Sequence, residues 1–216
     1  MKKAVIFDLD GTLNDTIDSI KISADAAAAT VGIGPFSEDE YKYFVGDGAA
    51  VLIERVLEAG GDSEHVHFDA VYAEYQRIFE KYCMYNVRPY DGIPELLDAL
   101  KEKGVQMAVL SNKPHVRTLE VIHDIFGDDY FAVVQGQQEG IERKPSPEGV
   151  FHILNKLSLT ADDILYVGDT GTDMQTGKSA GAFSIGAFWG FREENELREN
   201  GADVIVGHPL EVLNYL

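Results

Sequence analysis

From residue 91 onward, short apolar runs of about five residues alternate with amphipathic stretches of about ten to fifteen. The runs at 4–7, 105–110, 131–134, 164–167 and 183–187 are rich in β-branched and aromatic residues and are predicted to be strands. A weaker one lies at 203–206. The stretches at 93–103, 116–126, 147–157 and 172–180 repeat their apolar residues at helical spacing. Strands that alternate with helices of this length predict an α/β protein built on a parallel sheet.

The first two predicted strands are separated by a gap of roughly ninety residues, far longer than a crossover between parallel strands requires. An insert is therefore expected, and its pattern is helical at 17–31, 38–44, 49–59 and 68–84. Phe68, Tyr72, Tyr75, Phe79 and Tyr82 recur at helical spacing in the last of these and are expected to form the core of the lobe. Pro89 and Gly92 break the helical pattern where the insert ends. The expected division is a catalytic core of residues 1–14 and 88–216, with a helical cap at 15–87.

Composition narrows the functional classes. The chain has 216 residues, 45% apolar and 25% charged, enough for a full core and a smaller second lobe. No segment approaches the ~18 consecutive apolar residues that span a bilayer, so no membrane association is expected. Asp8 and Asp10 cut the N-terminal apolar run too short for a secretory segment. The lone Cys83 cannot form an internal disulfide, so it is expected as a buried apolar residue in a cytoplasmic protein. Eighteen Lys and Arg against 37 Asp and Glu, a net charge of −19, exclude nucleic acid as a partner. The same charge means that an anionic substrate must be neutralised locally, by a cation, a lysine and backbone N–H groups.

Ligands of open parallel sheets bind beyond the carboxyl ends of the strands. Four segments there are polar: Asp8-Leu9-Asp10-Gly11-Thr12-Leu13 after the first strand, Ser111-Asn112-Lys113 after the second, Lys144-Pro145 after the third, and Gly168-Asp169-Thr170-Gly171-Thr172-Asp173 after the fourth. If the strands lie side by side, carboxylates, a hydroxyl and a lysine converge on one crevice.

These four segments, in this order and across nearly the whole chain, resemble the motifs of the haloacid dehalogenase-like superfamily, in its phosphatase branch with a helical cap after the first strand. The resemblance implies a Rossmann-like sheet of order 3-2-1-4-5. Val45-Gly46-Asp47-Gly48, Trp189-Gly190-Phe191-Arg192 and Gly201-Ala202-Asp203 are similar to the phosphoglycolate phosphatase group, although Asp47 stands where that group commonly carries Asn. What this implies is a hydrolase of a small phosphorylated metabolite, phosphoglycolate first, acting as a monomer or homodimer. A sugar-phosphate phosphatase, a β-phosphoglucomutase-like phosphomutase, and a pyrophosphatase or nucleotidase on the same core are the alternatives.

The roles also follow from chemistry. A carboxylate nucleophile, Asp8, divides hydrolysis into phosphoryl transfer and attack of water on an aspartyl phosphate. Carboxylate and phosphate repel, so a hard divalent cation is expected between them, held by Asp8, the main-chain carbonyl of Asp10, and Asp169, with Asp173 supporting a metal-bound water or Lys144. Mg²⁺ suits that donor set. Asp10 is expected to protonate the leaving alkoxide and then to deprotonate the attacking water. Ser111 and the backbone after it, Asn112 and Lys144 are expected to bind the phosphoryl oxygens, with Lys113 a secondary contact. A backbone nest at Gly46 and Gly48 is the candidate contact to the rest of the substrate. His115, Trp189 and Arg192 read as packing or surface residues near the crevice.

Overall fold

Ala-Val-Ile-Phe, residues 4–7, is buried along its whole length, as expected for a strand covered on both faces of a parallel sheet. A computed structural model describes all 216 residues. In its first part the order is β1 (Ala4–Phe7), β2 (Asn14–Asp15), α1 (Ile17–Ala28), α2 (Glu38–Phe44), α3 (Ala49–Ala59), α4 (Phe68–Tyr82) and β3 (Arg88–Pro89). There follow α5 (Ile93–Glu102), β4 (Gln106–Pro114), α6 (His115–Phe126), β5 (Phe131–Gln137) and α7 (Glu148–Leu157). The chain ends with β6 (Ile164–Gly168), α8 (Gly171–Ala180), β7 (Phe183–Ala187), α9 (Glu194–Glu199) and β8 (Val204–Val206).

Two units result. One comprises Met1–Asp15 with Pro89–Leu216, the other Thr16–Arg88. The first holds a six-stranded sheet, β5-β4-β1-β6-β7-β8, whose strand pairs are all parallel. Its first five strands take the order 3-2-1-4-5, and β8 extends the sheet as a sixth. β1 lies at the centre, with Phe7 level with Val109 of β4 and Val167 of β6. That register brings the ends of β1 and β6 together. A separate two-stranded sheet pairs β2 with β3.

β4 runs farther than its apolar residues indicate, through Ser111, Asn112 and Lys113 to Pro114. Its ladder with β5 shifts register between Leu110 and Pro114, and β5 likewise continues into the polar Gln135-Gly136-Gln137. Backbone pairing has thus outlasted the hydrophobic signal. The helix α9 was absent from the apolar pattern because of its six residues only Leu197 is buried. Ile6 and Tyr166, on neighbouring strands, belong to a cluster completed by Val150, Ile153 and Leu154 of α7.

The unit Thr16–Arg88 is a helical bundle. Ser37 caps α2 reciprocally with Glu40, and Tyr41 is fully buried with its hydroxyl donating to Asp25 at 2.9 Å. Of the aromatic stripe on α4, only Tyr75 and Phe79 are buried, stacked on each other, together with Val71 and Ile78. Phe68 and Tyr72 stack half-buried and Tyr82 is exposed. Cys83 is buried. No helix is long and apolar enough to cross a membrane.

Ile6 is fully buried at the centre of the sheet. Ile6→Ala is expected to lower unfolding free energy by about 2–5 kcal/mol, from lost transfer energy and the cavity left behind. Urea denaturation of the two proteins measures this, and a loss below about 1 kcal/mol would contradict the packing described.

Candidate active site

β1 delivers Asp8 to the carboxyl edge of the sheet, where its N–H donates to the carbonyl of Val167 at 2.9 Å. Beyond it the chain curls back. The carbonyl of Leu9 accepts the N–H groups of Thr12, Leu13 and Asn14, and Gly11 takes φ +88°. Glycine is required there twice over, by that dihedral and because a Cβ would lie 2.2 Å from Asp169 Oδ2. The turn aims the Thr12 hydroxyl at Asp169, to which it donates at 2.9 Å.

Asp169 follows β6, and Thr170 caps α8. In this reciprocal cap Asp173 Oδ2 accepts the N–H and hydroxyl of Thr170, at 3.1 and 2.6 Å. Its other oxygen accepts Lys144 Nζ at 2.7 Å and the Tyr166 hydroxyl at 3.2 Å. Lys144 Nζ is also 2.7 Å from Asp8 Oδ1, so one buried ammonium joins the two carboxylates. Asn112 fixes the loop that supplies it: Asn112 Oδ1 accepts the Lys144 N–H at 2.9 Å, and its amide donates to the Lys144 carbonyl at 3.1 Å. The side chain of Asn112 therefore orients the loop that carries Lys144.

Asp8, Asp169 and Asp173 are all buried, and each offers an oxygen within 4.8 Å of the others. Burial, then the charge of Asp173, outweighs Lys144 and pushes the Asp8 carboxyl well above the usual range. Asp169 is raised to about 7, again by burial first and Asp173 second, despite its bonds from Phe191 and Thr12. Burial works against the Lys144 ammonium, yet Asp173 and Asp8 prevail and hold its proton well above the ordinary lysine value. One lysine thus leaves negative charge among three buried carboxylates uncompensated. A hard divalent cation fits this set of oxygen donors, with Asp8 and Asp169 the two acids nearest the edge of the sheet and Asp173 already engaged with Lys144, Tyr166 and Thr170.

The other expected residues are distributed as follows. Ser111 is buried at the edge of β4, its hydroxyl oxygen accepting the Lys113 N–H at 3.1 Å. Asp10 is half-buried and stands outside the three-acid group; its two oxygens accept Lys113 Nζ at 2.8 and 3.0 Å. Lys113, expected as a secondary contact, is thus the principal partner of Asp10. The clue was its spacing, since two residues along a strand place Lys113 on the face of Ser111. Gly46 and Gly48 belong to the helical unit, with φ of +124° and +90°, and Asp47 between them pairs with Arg55. His115 Nδ1 accepts the Gly136 N–H at 3.1 Å, a structural bond. Trp189 and Arg192 do more than pack: the Trp189 indole donates to the Thr12 carbonyl at 2.9 Å, and the buried Arg192 pairs with Glu196 at 3.2 Å.

Carboxylates follow the adjacent strands β1 and β6 of this parallel sheet, and the loop between β5 and α7 brings a lysine to them, an arrangement suited to a hydrolase. The family described as haloacid dehalogenase-like hydrolase matches residues 5–187. A phosphoglycolate phosphatase from Aquifex aeolicus is 32% identical over 197 residues, covering 89% of this chain and 88% of that one. An N-acetylmuramic acid 6-phosphate phosphatase from Pseudomonas aeruginosa is 33% identical over 216 residues, covering 99% and 94%. A crystal structure from Lactobacillus delbrueckii subsp. bulgaricus superposes with a TM-score of 0.93 at 30% identity, covering 100% of this chain and 98% of that one. The chain belongs to the haloacid dehalogenase-like hydrolases and is a phosphatase among them, a phosphoric monoester hydrolase of the phosphoglycolate phosphatase-like kind.

The raised acids give a pH dependence of definite sign. Asp169 ionises at about 7 in the folded chain against 3.8 ordinarily, and Asp8 shifts the same way. Between those values the unfolded chain binds fewer protons at these groups than the folded one, so their contribution to stability is fully present below the ordinary carboxylate value and is lost as pH rises through about 7. Without divalent cations, the melting temperature is expected to fall from about pH 5 to about pH 8, with a smaller fall in Asp169→Asn. A melting temperature that is flat or rises over this range would contradict the charge balance described.

Proposed function

We propose that the protein is a Mg²⁺-dependent phosphatase that hydrolyses a small phosphate monoester, phosphoglycolate first, through an aspartyl phosphate on Asp8. The observation that carries this reading is Lys144, which sits 2.7 Å from both Asp8 and Asp173 at the edge of the sheet, beside Asp169. A buried carboxylate held by an ammonium beside a second, cation-seeking carboxylate suits attack on a phosphoryl group.

In the first step an Asp8 oxygen bonds to phosphorus as the ester oxygen departs, and the carboxyl proton of Asp10 moves to that oxygen. An alcohol leaves. In the second step Asp10, now ionised, takes a proton from water as the water oxygen attacks phosphorus, and the bond to Asp8 breaks to release phosphate. Lys113 holds Asp10 through both of its oxygens and so fixes where it transfers protons. Lys144, oriented by Asn112, and Ser111 with the adjacent backbone N–H groups bind the equatorial oxygens. Bound by Asp8, the Asp10 carbonyl and Asp169, Mg²⁺ would supply charge neutralisation for the approach of phosphate to carboxylate. Gly46 and Gly48, with backbone free of a Cβ at positive φ, are the candidates for reading the rest of the substrate.

The similarity to the Aquifex phosphoglycolate phosphatase supports phosphoglycolate, and the Pseudomonas relative makes a sugar 6-phosphate the second ester to examine. The test is phosphate release from a panel containing phosphoglycolate, N-acetylmuramic acid 6-phosphate and simple sugar phosphates, with and without EDTA. Activity that survives EDTA, or that is equal on every ester, would overturn the cation requirement or the substrate preference respectively.

Two substitutions separate the roles. Asp8→Asn should lower kcat by about 10⁴-fold or more, the scale seen when a nucleophile is removed. Asp10→Asn should cost about 10²–10⁴-fold on an alkyl ester, the usual value of acid–base catalysis, and much less on an aryl ester whose leaving group needs no proton. Equal losses on the two esters would remove Asp10 from the protonation of the leaving group.

A further inference from the structure

Asp169 is packed against the turn after β7. The Phe191 N–H donates to Asp169 Oδ2 at 2.8 Å. A Cβ added at Gly190 would lie 2.3 Å from the Asp169 Cβ and 2.3 Å from the Gly11 carbonyl oxygen, so only glycine lets this backbone approach. One residue earlier, the Trp189 indole N–H donates to the Thr12 carbonyl at 2.9 Å, and the Thr12 hydroxyl donates to Asp169 Oδ1 at 2.9 Å. The far end of the turn is anchored as well. Arg192 pairs with one oxygen of Glu196, and the other oxygen accepts the Gly171 N–H at 2.9 Å, at the start of α8.

Each Asp169 oxygen therefore accepts one hydrogen bond from a different segment, and both segments are joined by the Trp189 indole. A carboxylate has about four acceptor positions, so capacity for a cation remains on each oxygen while the plane of the group is fixed. We infer that Trp189 and Gly190 are positioning residues, which hold Asp169 in a cation-ready orientation and so set the affinity for Mg²⁺ without touching it. The inference rests on the cation site proposed above. Partners that orient metal-bound carboxylates typically contribute about 10–100-fold to affinity, which gives the scale of the expected effect.

Trp189 is the only tryptophan of the chain, so its fluorescence reports on this turn. The experiment is a Mg²⁺ titration without substrate, followed by calorimetry on the parent, Trp189→Phe, Gly190→Ala and Asp169→Asn, and also by tryptophan emission on the three proteins that keep Trp189. The parent is expected to bind Mg²⁺ with a change in emission, and Asp169→Asn to lose both signals. Trp189→Phe, which removes the N–H and keeps an aromatic ring, should weaken the dissociation constant about tenfold, and Gly190→Ala about 100-fold. Should Gly190→Ala fail to fold, Trp189→Phe decides alone. A dissociation constant for Trp189→Phe within about twofold of the parent, while Asp169→Asn has lost binding, overturns the positioning role and leaves the cation site standing. A parent that binds no Mg²⁺, or an Asp169→Asn protein that binds as the parent does, overturns both.

Discussion

Three carboxylates and one lysine, buried together at the end of a parallel sheet, are the constraint around which the rest of the catalytic unit is arranged. Asp8, Asp169 and Asp173 offer oxygens within 4.8 Å of one another, and Lys144 bridges Asp8 and Asp173 with a single positive charge. Burying ions in this way costs several kcal/mol each unless hydrogen bonds and opposite charge offset it. Asp173 has that compensation in full, from Lys144, Tyr166 and Thr170. Asp8 and Asp169 do not, and their raised ionisation records the deficit.

Placing the deficit at the strand ends is what makes it chemically useful. β1 is four residues long and wholly buried, so Asp8 is the first polar side chain that the central strand presents. β6 presents Asp169 beside it because the two strands pair in register up to Phe7 and Val167. The capping of α8 by Thr170 and Asp173 ends the loop after one turn and leaves Asp173 facing Lys144. Local rules of strand burial and helix capping thus generate a global arrangement that neither would produce alone. The net charge of −19 makes the arrangement more demanding, because an incoming phosphate must be neutralised locally.

How much of this was legible in the sequence depends on the kind of signal. The strands were visible from apolar runs, and Asp8 and Asp169 were visible because polar residues stopping such runs mark the carboxyl edge of a parallel sheet, whereas Lys144 and Asp173 lie farther on and were marked by the superfamily motifs they resemble. The pairing of side chains was less legible. Asn112 binds Lys144 from 32 residues away, and Thr12 binds Asp169 from 157 residues away. Periodicity describes which face a residue takes within its own element, and it contains no information about which loop from another element lies opposite. Lys113 was expected only as a secondary contact near Ser111, and its partner Asp10 could not be named. The length of β4 was misjudged for a related reason, as backbone hydrogen bonds extend a strand through residues whose side chains carry no strand signal.

The contrast between Lys113 and Lys144 shows how the site separates tasks that a single cation could not combine. Lys144 is shared by Asp8 and Asp173 and gripped through its backbone by Asn112, so its position is determined by four separate bonds. It can serve as a fixed charge against which a phosphoryl group settles. Lys113, itself buried, holds the half-buried Asp10 through both carboxylate oxygens. In the proposed mechanism Asp10 gives and takes a proton and Asp8 is the nucleophile, and a paired contact to Lys113 restrains the place of Asp10. Two lysines on different elements, one beside the nucleophile and one beside the acid–base group, keep these requirements apart, and β4 contributes to both by supplying Lys113 directly and Lys144 through Asn112.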